Sequence, residues 1–276
     1  MSDMSDDSTT DRDAGREEID TTLAHSARMY DYYLGGKDNY QADRDAAEKM
    51  IEATRGGVRF GARQNRAFLL RAVRYLAAQG VTQFLDIGTG IPTSPNTHDA
   101  AREVVKDPHV VYVDNDPIVF VHSSALLGAE GRTAALRADL REPATVLEHP
   151  RTRDLIDFGK PVGVLFIAVL QFLEDADDPW AHVATYLDAV PSGSHLALTH
   201  FTHDFNPVGA AQGGKAYDKA SARMSARGRA EVGRFFTGLD LVDPGVVQAS
   251  RWRPDGPVAD VPGGHPWMWA AVGRKP

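Results

Sequence analysis

Apolar positions in this chain recur in two rhythms, and the elements change where the rhythm does. Over 63–79, Phe68, Leu69, Ala72, Val73 and Leu76 fall on one face of a 3.6-residue repeat, which predicts an amphipathic helix stopped by Gly80. The stretch 43–55 does the same with Ala46, Ala47, Met50 and Ile51, and Gly56-Gly57 ends it. From residue 83 onward, short apolar runs alternate with helical segments. Strands are predicted at 83–88, 110–115, 134–139, 161–169 and 194–201. Helices are predicted near 97–106, 117–127 and 178–190, with Pro117 suited to a first helical turn. Runs without polar alternation, such as Val162-Gly163-Val164-Leu165-Phe166-Ile167-Ala168-Val169, belong to strands buried on both faces, as in a parallel sheet between helical layers. After Lys215 the order changes. A helical segment, or two broken at Gly228, is predicted over 215–236, followed by strands at 239–248 and 266–273. The Pro/Gly-rich 253–264 joins them with no helix between, so this pair is predicted to be an antiparallel hairpin.

Composition adds limits. The 276 residues are 42% hydrophobic, enough for one large α/β domain with an appendage. Eight acids against Arg12 and Arg16 give residues 1–20 a balance of −6 within a total of −8, so the body is close to neutral. The expected organisation is a disordered acidic tail at 1–20, a helical cap or lid at 21–80, and the main domain at 81–276. A near-neutral body without a basic stripe argues against a nucleic-acid partner. The absence of cysteine excludes disulfides, iron–sulfur clusters and thiolate zinc sites. No pair of His or Asp residues has a recognised ligand spacing, and no metal is expected. The longest apolar run, Val162 to Leu170, is too short to span a bilayer, and no secretory leader is visible, so the expectation is a cytoplasmic protein without a membrane. Oligomeric state is not legible.

The candidate chemistry begins at Asp86-Ile87-Gly88-Thr89-Gly90-Ile91-Pro92, a strand running into a glycine turn, with Thr93, Ser94, Asn96 and Thr97 available to cap the next helix. Asp114-Asn115-Asp116 closes the following strand, where a nucleotide-binding βαβ unit places the carboxylate for ribose hydroxyls. A dinucleotide fingerprint wants a third glycine, and here Thr93 holds that position. The acid Asp86 at the head of the turn suits a ligand bearing an amine rather than a pyrophosphate. S-adenosyl-L-methionine carries an ammonium, a sulfonium and no phosphate, and five strands followed by a C-terminal hairpin fit a class I methyltransferase better than a dehydrogenase. A plain tight turn with Asp86 as a helix cap is the competing reading.

Four blocks then carry a resemblance to a family. They are Ala27-Arg28-Met29-Tyr30-Asp31-Tyr32-Tyr33-Leu34-Gly35-Gly36-Lys37-Asp38-Asn39-Tyr40; Arg63-Gln64-Asn65-Arg66-Ala67-Phe68-Leu69; Asp86 to Thr93 with Asn96-Thr97-His98; and Val111-Tyr112-Val113-Asp114-Asn115-Asp116-Pro117. From about residue 22 onward the chain closely resembles the actinobacterial S-adenosylmethionine-dependent methyltransferase family long catalogued as a domain of unknown function. The resemblance implies a three-layer Rossmann-like class I fold, with a mostly parallel seven-stranded sheet, an antiparallel C-terminal hairpin and an N-terminal helical extension. It implies that backbone at Gly88, Thr89 and Gly90 approaches the methionyl part of the cofactor and that Asp86 holds its ammonium. Asp114 would take the ribose hydroxyls, Asn115 lie beside the adenine, Asp139 and Leu140 meet the adenine edge, and Ala168 and Val169 form the floor.

Methyl transfer from a sulfonium chiefly needs alignment, and a base only when the methyl acceptor is protonated. Leu170-Gln171-Phe172-Leu173 lacks the pattern of amino-methylating nucleic-acid enzymes. The expected methyl acceptor is therefore a small molecule, with a secondary metabolite as the finer expectation. Tyr30, Tyr32 and Tyr33 are candidates to fold over the cofactor, with Lys37 and Asn39 in the turn behind them; Tyr33 is the catalytic candidate among them. His200 and His203 leave the fifth strand at its carboxyl end, and His200 is the second catalytic candidate, as general base. Arg66 is a candidate partner for the cofactor carboxylate, against the alternative of a surface salt bridge. Two other classes stay open: a protein that binds S-adenosylmethionine or S-adenosylhomocysteine for regulation without turnover, and an oxidoreductase on a related fold.

Overall fold

The computed structural model describes residues 20–127, 131–258, 260 and 264–276, so the acidic tail expected at 1–20 lies, Asp20 apart, outside the described residues. The chain opens with three helices, α1 (Ser26–Leu34), α2 (Gln41–Ala53) and α3 (Gly57–Ala78). The alternating part follows as β1 (Gln83–Ile87), α4 (Thr97–Arg102), β2 (His109–Asp114), α5 (Pro117–Leu127), β3 (Thr133–Arg137), α6 (Pro143–Leu147), α7 (Pro150–Leu155), β4 (Gly163–Ile167), α8 (Pro179–Asp188) and β5 (His195–Phe201). It closes with α9 (Pro207–Gly214), α10 (Arg229–Arg234), β6 (Asp240–Leu241), β7 (Val247–Gln248) and β8 (Met268–Arg274).

All strands among the described residues join one sheet in the order β3-β2-β1-β4-β5-β8-β6, with β7 also on β8. The first five are parallel and β8 runs antiparallel to β5, from His195↔Arg274 to Phe201↔Met268. The chain leaves β1 toward β2 and β3, then returns to place β4 on the other side, so strand order reverses between β1 and β4. That reversal opens a crevice at the carboxyl ends of the strands. Every residue of β1 and β5 is buried, and each sheet face carries its own apolar cluster. One holds Phe84, Leu165, Phe201, Trp252 and Trp267 with the N-terminal helices; the other holds Leu85, Val164, Leu198, Tyr186 and Phe235.

The antiparallel end of the sheet is as expected, but its outer strand is interrupted: β6 and β7 pair with β8 separately, at Asp240↔Arg274 and Val247↔Ala270. Pro244 cannot donate to a ladder and Gly245 turns the chain at φ 79°, so among the described residues eight strands stand where seven were expected. The helix expected over 215–236 is also displaced. A helix starts earlier, at Pro207, where the Asn206 side chain accepts from the Gly209 amide at 2.8 Å, and only 229–234 is α-helical afterwards. Helices α6 and α7, each led by proline at its first turn, were not anticipated. Gly56-Gly57 is a joint as well as a stop, since α3 begins at Gly57, six residues before the helix expected at 63–79.

The Tyr-rich block forms α1 and a tight return. Gly35 ends the helix at φ 87°, and the buried Asp31 carboxylate accepts from the Asp38 amide at 3.0 Å and Asn39 Nδ2 at 2.8 Å. A buried ionic cluster fastens this helix to the main sheet. His25 Nδ1 lies 2.8 Å from Asp116 Oδ2, and Arg28 lies between Asp116 and Asp43 at 3.7 and 3.5 Å. The N-terminal helices are thus tied to the end of β2, beside Asp114.

Candidate active site

At the crevice, β1 ends in the glycine turn. Gly88 and Gly90 both have positive φ, 71° and 68°, which glycine adopts without strain. The Gly88 and Thr89 amides donate to the Val113 carbonyl at 2.7 and 3.0 Å, holding the turn against β2. A Cβ on Gly88 would fall 2.2 Å from Val169 Cγ2, so the turn also lies directly on the end of β4. There Ala168 has φ 56°, a left-handed conformation costly for a residue with a Cβ. Its amide is held by the Thr199 hydroxyl at 2.8 Å. Strain of this kind persists only where neighbours enforce it.

These pieces line one cavity of about 410 Å³, within the range of small-molecule sites. Asp86, Gly88, Thr89, Gly90 and Asp114 reach it from β1 and β2; Asn115, Asp139 and Leu140 from the ends of β2 and β3; Ala168 and Val169 from β4; and Arg66 from α3. Burial pushes the Asp86 carboxyl up to about 6, opposed by the Thr97 hydroxyl, which donates to it at 2.6 Å, and by nearby Arg66. Burial also raises Asp114, against the Asp116 and Gly90 amides that donate to its two oxygens at 3.0 and 2.9 Å. Burial alone would raise Asp139 too, but the Arg141 guanidinium, 2.6 Å away, takes it below the usual carboxylate range. Arg66 donates to the Thr93 and Pro95 carbonyls of the loop after the turn, and its Nε is buried without a partner. Among the described residues no salt bridge reaches Asp86 or Asp114. The donor set therefore fits a ligand that brings a cation and hydroxyl donors and no phosphate.

The family profile described as S-adenosyl methyltransferase matches residues 12–276. The chain belongs to that family. It is an S-adenosylmethionine-dependent methyltransferase, and S-adenosyl-L-methionine is its methyl donor. A DUF574 family protein from Streptomyces avermitilis, of known crystal structure, is 45% identical, with 94% of this chain and 100% of that one aligned at a TM-score of 0.90. A candidate methyltransferase from Thermobifida fusca is 38% identical over 93% of this chain and 97% of that one, with a TM-score of 0.86. No curated protein matches the chain.

An aromatic part of the methyltransferase cavity's lining comes from parts of the sequence with no shared motif. Tyr30 and Tyr33 of α1 line it together with Met50, Phe172, Tyr217 and Trp267. The Tyr33 and Tyr217 hydroxyls are 3.1 Å apart, and the Phe172 and Tyr217 ring centres 5.5 Å. Asn65 Nδ2 donates to the Tyr30 hydroxyl at 2.8 Å, and that hydroxyl donates to the Ala62 carbonyl at 3.0 Å. Tyr217, Phe172 and Trp267 were not foreseen as site residues. Only the aromatic character of each hinted at it, and the sequence separations carry no signal.

The structure corrects His200 as a general base. It is fully buried outside the cavity, and burial drives it down to about 3. Nε2 accepts from Arg227 at 2.8 Å, which leaves Nδ1 to donate to the Phe201 carbonyl at 2.7 Å. The reason is strand parity: side chains alternate along β5, so His200 shares the face of Leu196 and Leu198 while Phe201 faces the cavity. His203 lies outside the cavity too, near Asp204 and Glu231, and His98 is bonded to the Tyr112 hydroxyl. Tyr32 turns outward to Glu48 at 2.6 Å, Lys37 is exposed, and Asn39 is engaged by Asp31 and Arg44. Tyr33 stays at the cavity, 2% exposed, its hydroxyl raised well above the usual range by burial. Among the described residues no cluster of three potential metal ligands exists, and no helix is long and apolar enough to cross a membrane.

Proposed function

We propose that this methyltransferase acts on a small molecule held inside the cavity, between the strand ends and α1. The observation that carries the reading is that one cavity is lined both by the polar groups at the strand ends, which form its polar wall, and by the aromatic side chains Tyr30, Tyr33, Phe172, Tyr217 and Trp267, which form its aromatic wall. The near-neutral body supports it, because a polyanionic nucleic acid would find no basic track. On the polar wall, Asp86 pairs with the ammonium of the donor and Arg66 with its carboxylate. The backbone of Gly88, Thr89 and Gly90 lies along the methionyl chain, and Asp114 accepts from the ribose hydroxyls. Asn115, Asp139 and Leu140 surround the adenine, and Ala168 with Val169 makes the floor. When bound, S-adenosylmethionine supplies an electrophilic methyl on a good leaving group. Tyr33 orients the methyl acceptor rather than taking its proton, since a buried phenol stays protonated near neutrality.

Calorimetric titration with S-adenosylhomocysteine tests the polar wall. Binding is expected, with an approximately tenfold or larger loss in Asp114→Ala; equal affinity in the variant would refute the placement. A crystal structure of that complex checks whether the aromatic wall stays open for a second molecule. If α1 blocks that space entirely, the small-molecule reading fails.

A further inference from the structure

The aromatic wall has an unusual inventory for a site that must present a nucleophile. Tyr30, Tyr33, Met50, Phe172, Tyr217 and Trp267 all belong to or pack on one apolar cluster. Of the charged groups elsewhere in the lining, His25 is engaged with Asp116, Arg141 with Asp139 and Arg223 with Glu174, while Asp177 accepts from the Glu174 amide. Tyr30 spends its hydroxyl inside the fold, donating to Ala62 and accepting from Asn65. Tyr33 and Tyr217 share a single hydrogen bond between two hydroxyls, so one proton of the pair remains for a guest. Burial holds Tyr30 and Tyr217 up at about 12, and Tyr33 moves the same way, so these phenols donate and do not act as bases at neutral pH. His200, the one histidine that a base on β5 would have required, faces the other side of the sheet.

Against this wall an anionic guest would be desolvated without a cation beside it, and the wall's own side chains offer no base to a guest that must lose a proton. We propose that the methyl acceptor is a neutral, flat heteroaromatic molecule methylated on a ring nitrogen whose lone pair is already free, with a second acceptor atom hydrogen-bonded by the Tyr33–Tyr217 hydroxyl pair. This rests on the cofactor lying along the polar wall as proposed above. The nitrogen lone pair forms the N–CH3 bond while the C–S bond breaks and leaves its electron pair on sulfur. S-adenosylhomocysteine departs as a neutral thioether, the positive charge passes to the methylated ring, and no proton moves. The rings of Tyr30, Phe172, Tyr217 and Trp267 line the cavity and suit that transfer, since aromatic rings attract a cation.

Quinoxaline, which has two ring nitrogens and no charge, is a direct probe. Protein saturated with S-adenosylhomocysteine is titrated calorimetrically with quinoxaline and with quinoxaline-2-carboxylate, and Tyr217→Phe is run in parallel. The expected result is binding of quinoxaline, at least about tenfold weaker binding of the carboxylate, and about a tenfold loss for quinoxaline in Tyr217→Phe at unchanged S-adenosylhomocysteine affinity. With S-adenosylmethionine, mass spectrometry is expected to find N-methylquinoxalinium and no methylated 2-naphthol. Binding of S-adenosylhomocysteine with no quinoxaline binding, equal or tighter binding of the carboxylate, or methylation of 2-naphthol would each overturn the proposal. Failure to bind S-adenosylhomocysteine at all would instead remove the cofactor placement on which it stands.

Discussion

The Gly90 amide donates to Asp114 Oδ2 at 2.9 Å, so the turn after β1 and the acid at the end of β2 are fixed to each other before any ligand arrives. The other oxygen of Asp114 takes the Asp116 amide at 3.0 Å. One carboxylate thus sets the turn, starts the connection to α5 and still has lone pairs facing the cavity.

Asp114→Asn keeps the shape but places an NH2 against one of two N–H donors. S-adenosylmethionine binding is expected to weaken about tenfold to a hundredfold, with a stability loss of about 1–2 kcal/mol. Calorimetry and urea denaturation read the two effects separately. Unchanged binding would mean that the ligand does not use this acid.

Gly88 and Gly90 differ in what an added methyl meets. At Gly90 nothing lies within 4 Å, so Gly90→Ala pays only for its positive φ, about 1 kcal/mol. At Gly88 the same change collides with Val169 at 2.2 Å, adding an overpacking cost of about 1–3 kcal/mol. Val169→Ala in the Gly88→Ala background is expected to recover much of that second cost in urea unfolding; no recovery would place the damage elsewhere.

Asp86 titrates near 6 because its charged form is buried. A carboxyl raised above its unfolded value binds protons more tightly when folded, so its contribution favours the fold at low pH and is lost as pH rises from about 4 to about 6. In the placement proposed above, cofactor binding runs the other way, because the ammonium would pair with the carboxylate. Affinity for S-adenosylmethionine is expected to fall as pH drops below about 6, and Asp86→Asn to lose that dependence while gaining stability at pH 7. Titrations on either side of that pH decide it; a flat affinity profile in the native protein would exclude Asp86 as the ammonium partner.

His200→Gln removes an acceptor from Arg227, which is 1% exposed and also binds the Leu170 and Leu173 carbonyls. Thermal or urea unfolding is expected to show a loss of about 1–3 kcal/mol. The pH profile of methyl transfer keeps its shape, because the imidazole is neutral throughout the working range and holds a loop rather than a proton. Disappearance of a limb near neutrality would restore it as a base.

The glycine turn, Asp114 and the five parallel strands were legible because each rests on local signals: unbroken apolar runs, positive-φ glycines and an acid at a fixed strand end. Burial on one side or the other of β5 was harder. Both faces of that strand are covered, so hydrophobicity does not alternate and His200 carries no mark of which cluster it joins. Strand parity fixes it once Phe201 is known to face the cavity. The start at Pro207 was readable from Asn206-Pro207, whereas Pro244-Gly245 hid inside an apolar stretch that read as one continuous strand. The aromatic wall had no local pattern, because its members are assembled by packing between distant segments.

The Tyr33–Tyr217 hydroxyl contact spans 184 positions of chain, and close by the backbone of Ala24 pairs with that of Ala220. During synthesis the N-terminal helix therefore emerges long before the segment that it must meet. A nascent chain ending before residue 217 has its glycine turn and Asp114 but lacks one side of the chamber. The half proposed to bind the donor can take shape while the polypeptide is still growing; the half proposed to select what is methylated waits for the last fifth of the molecule.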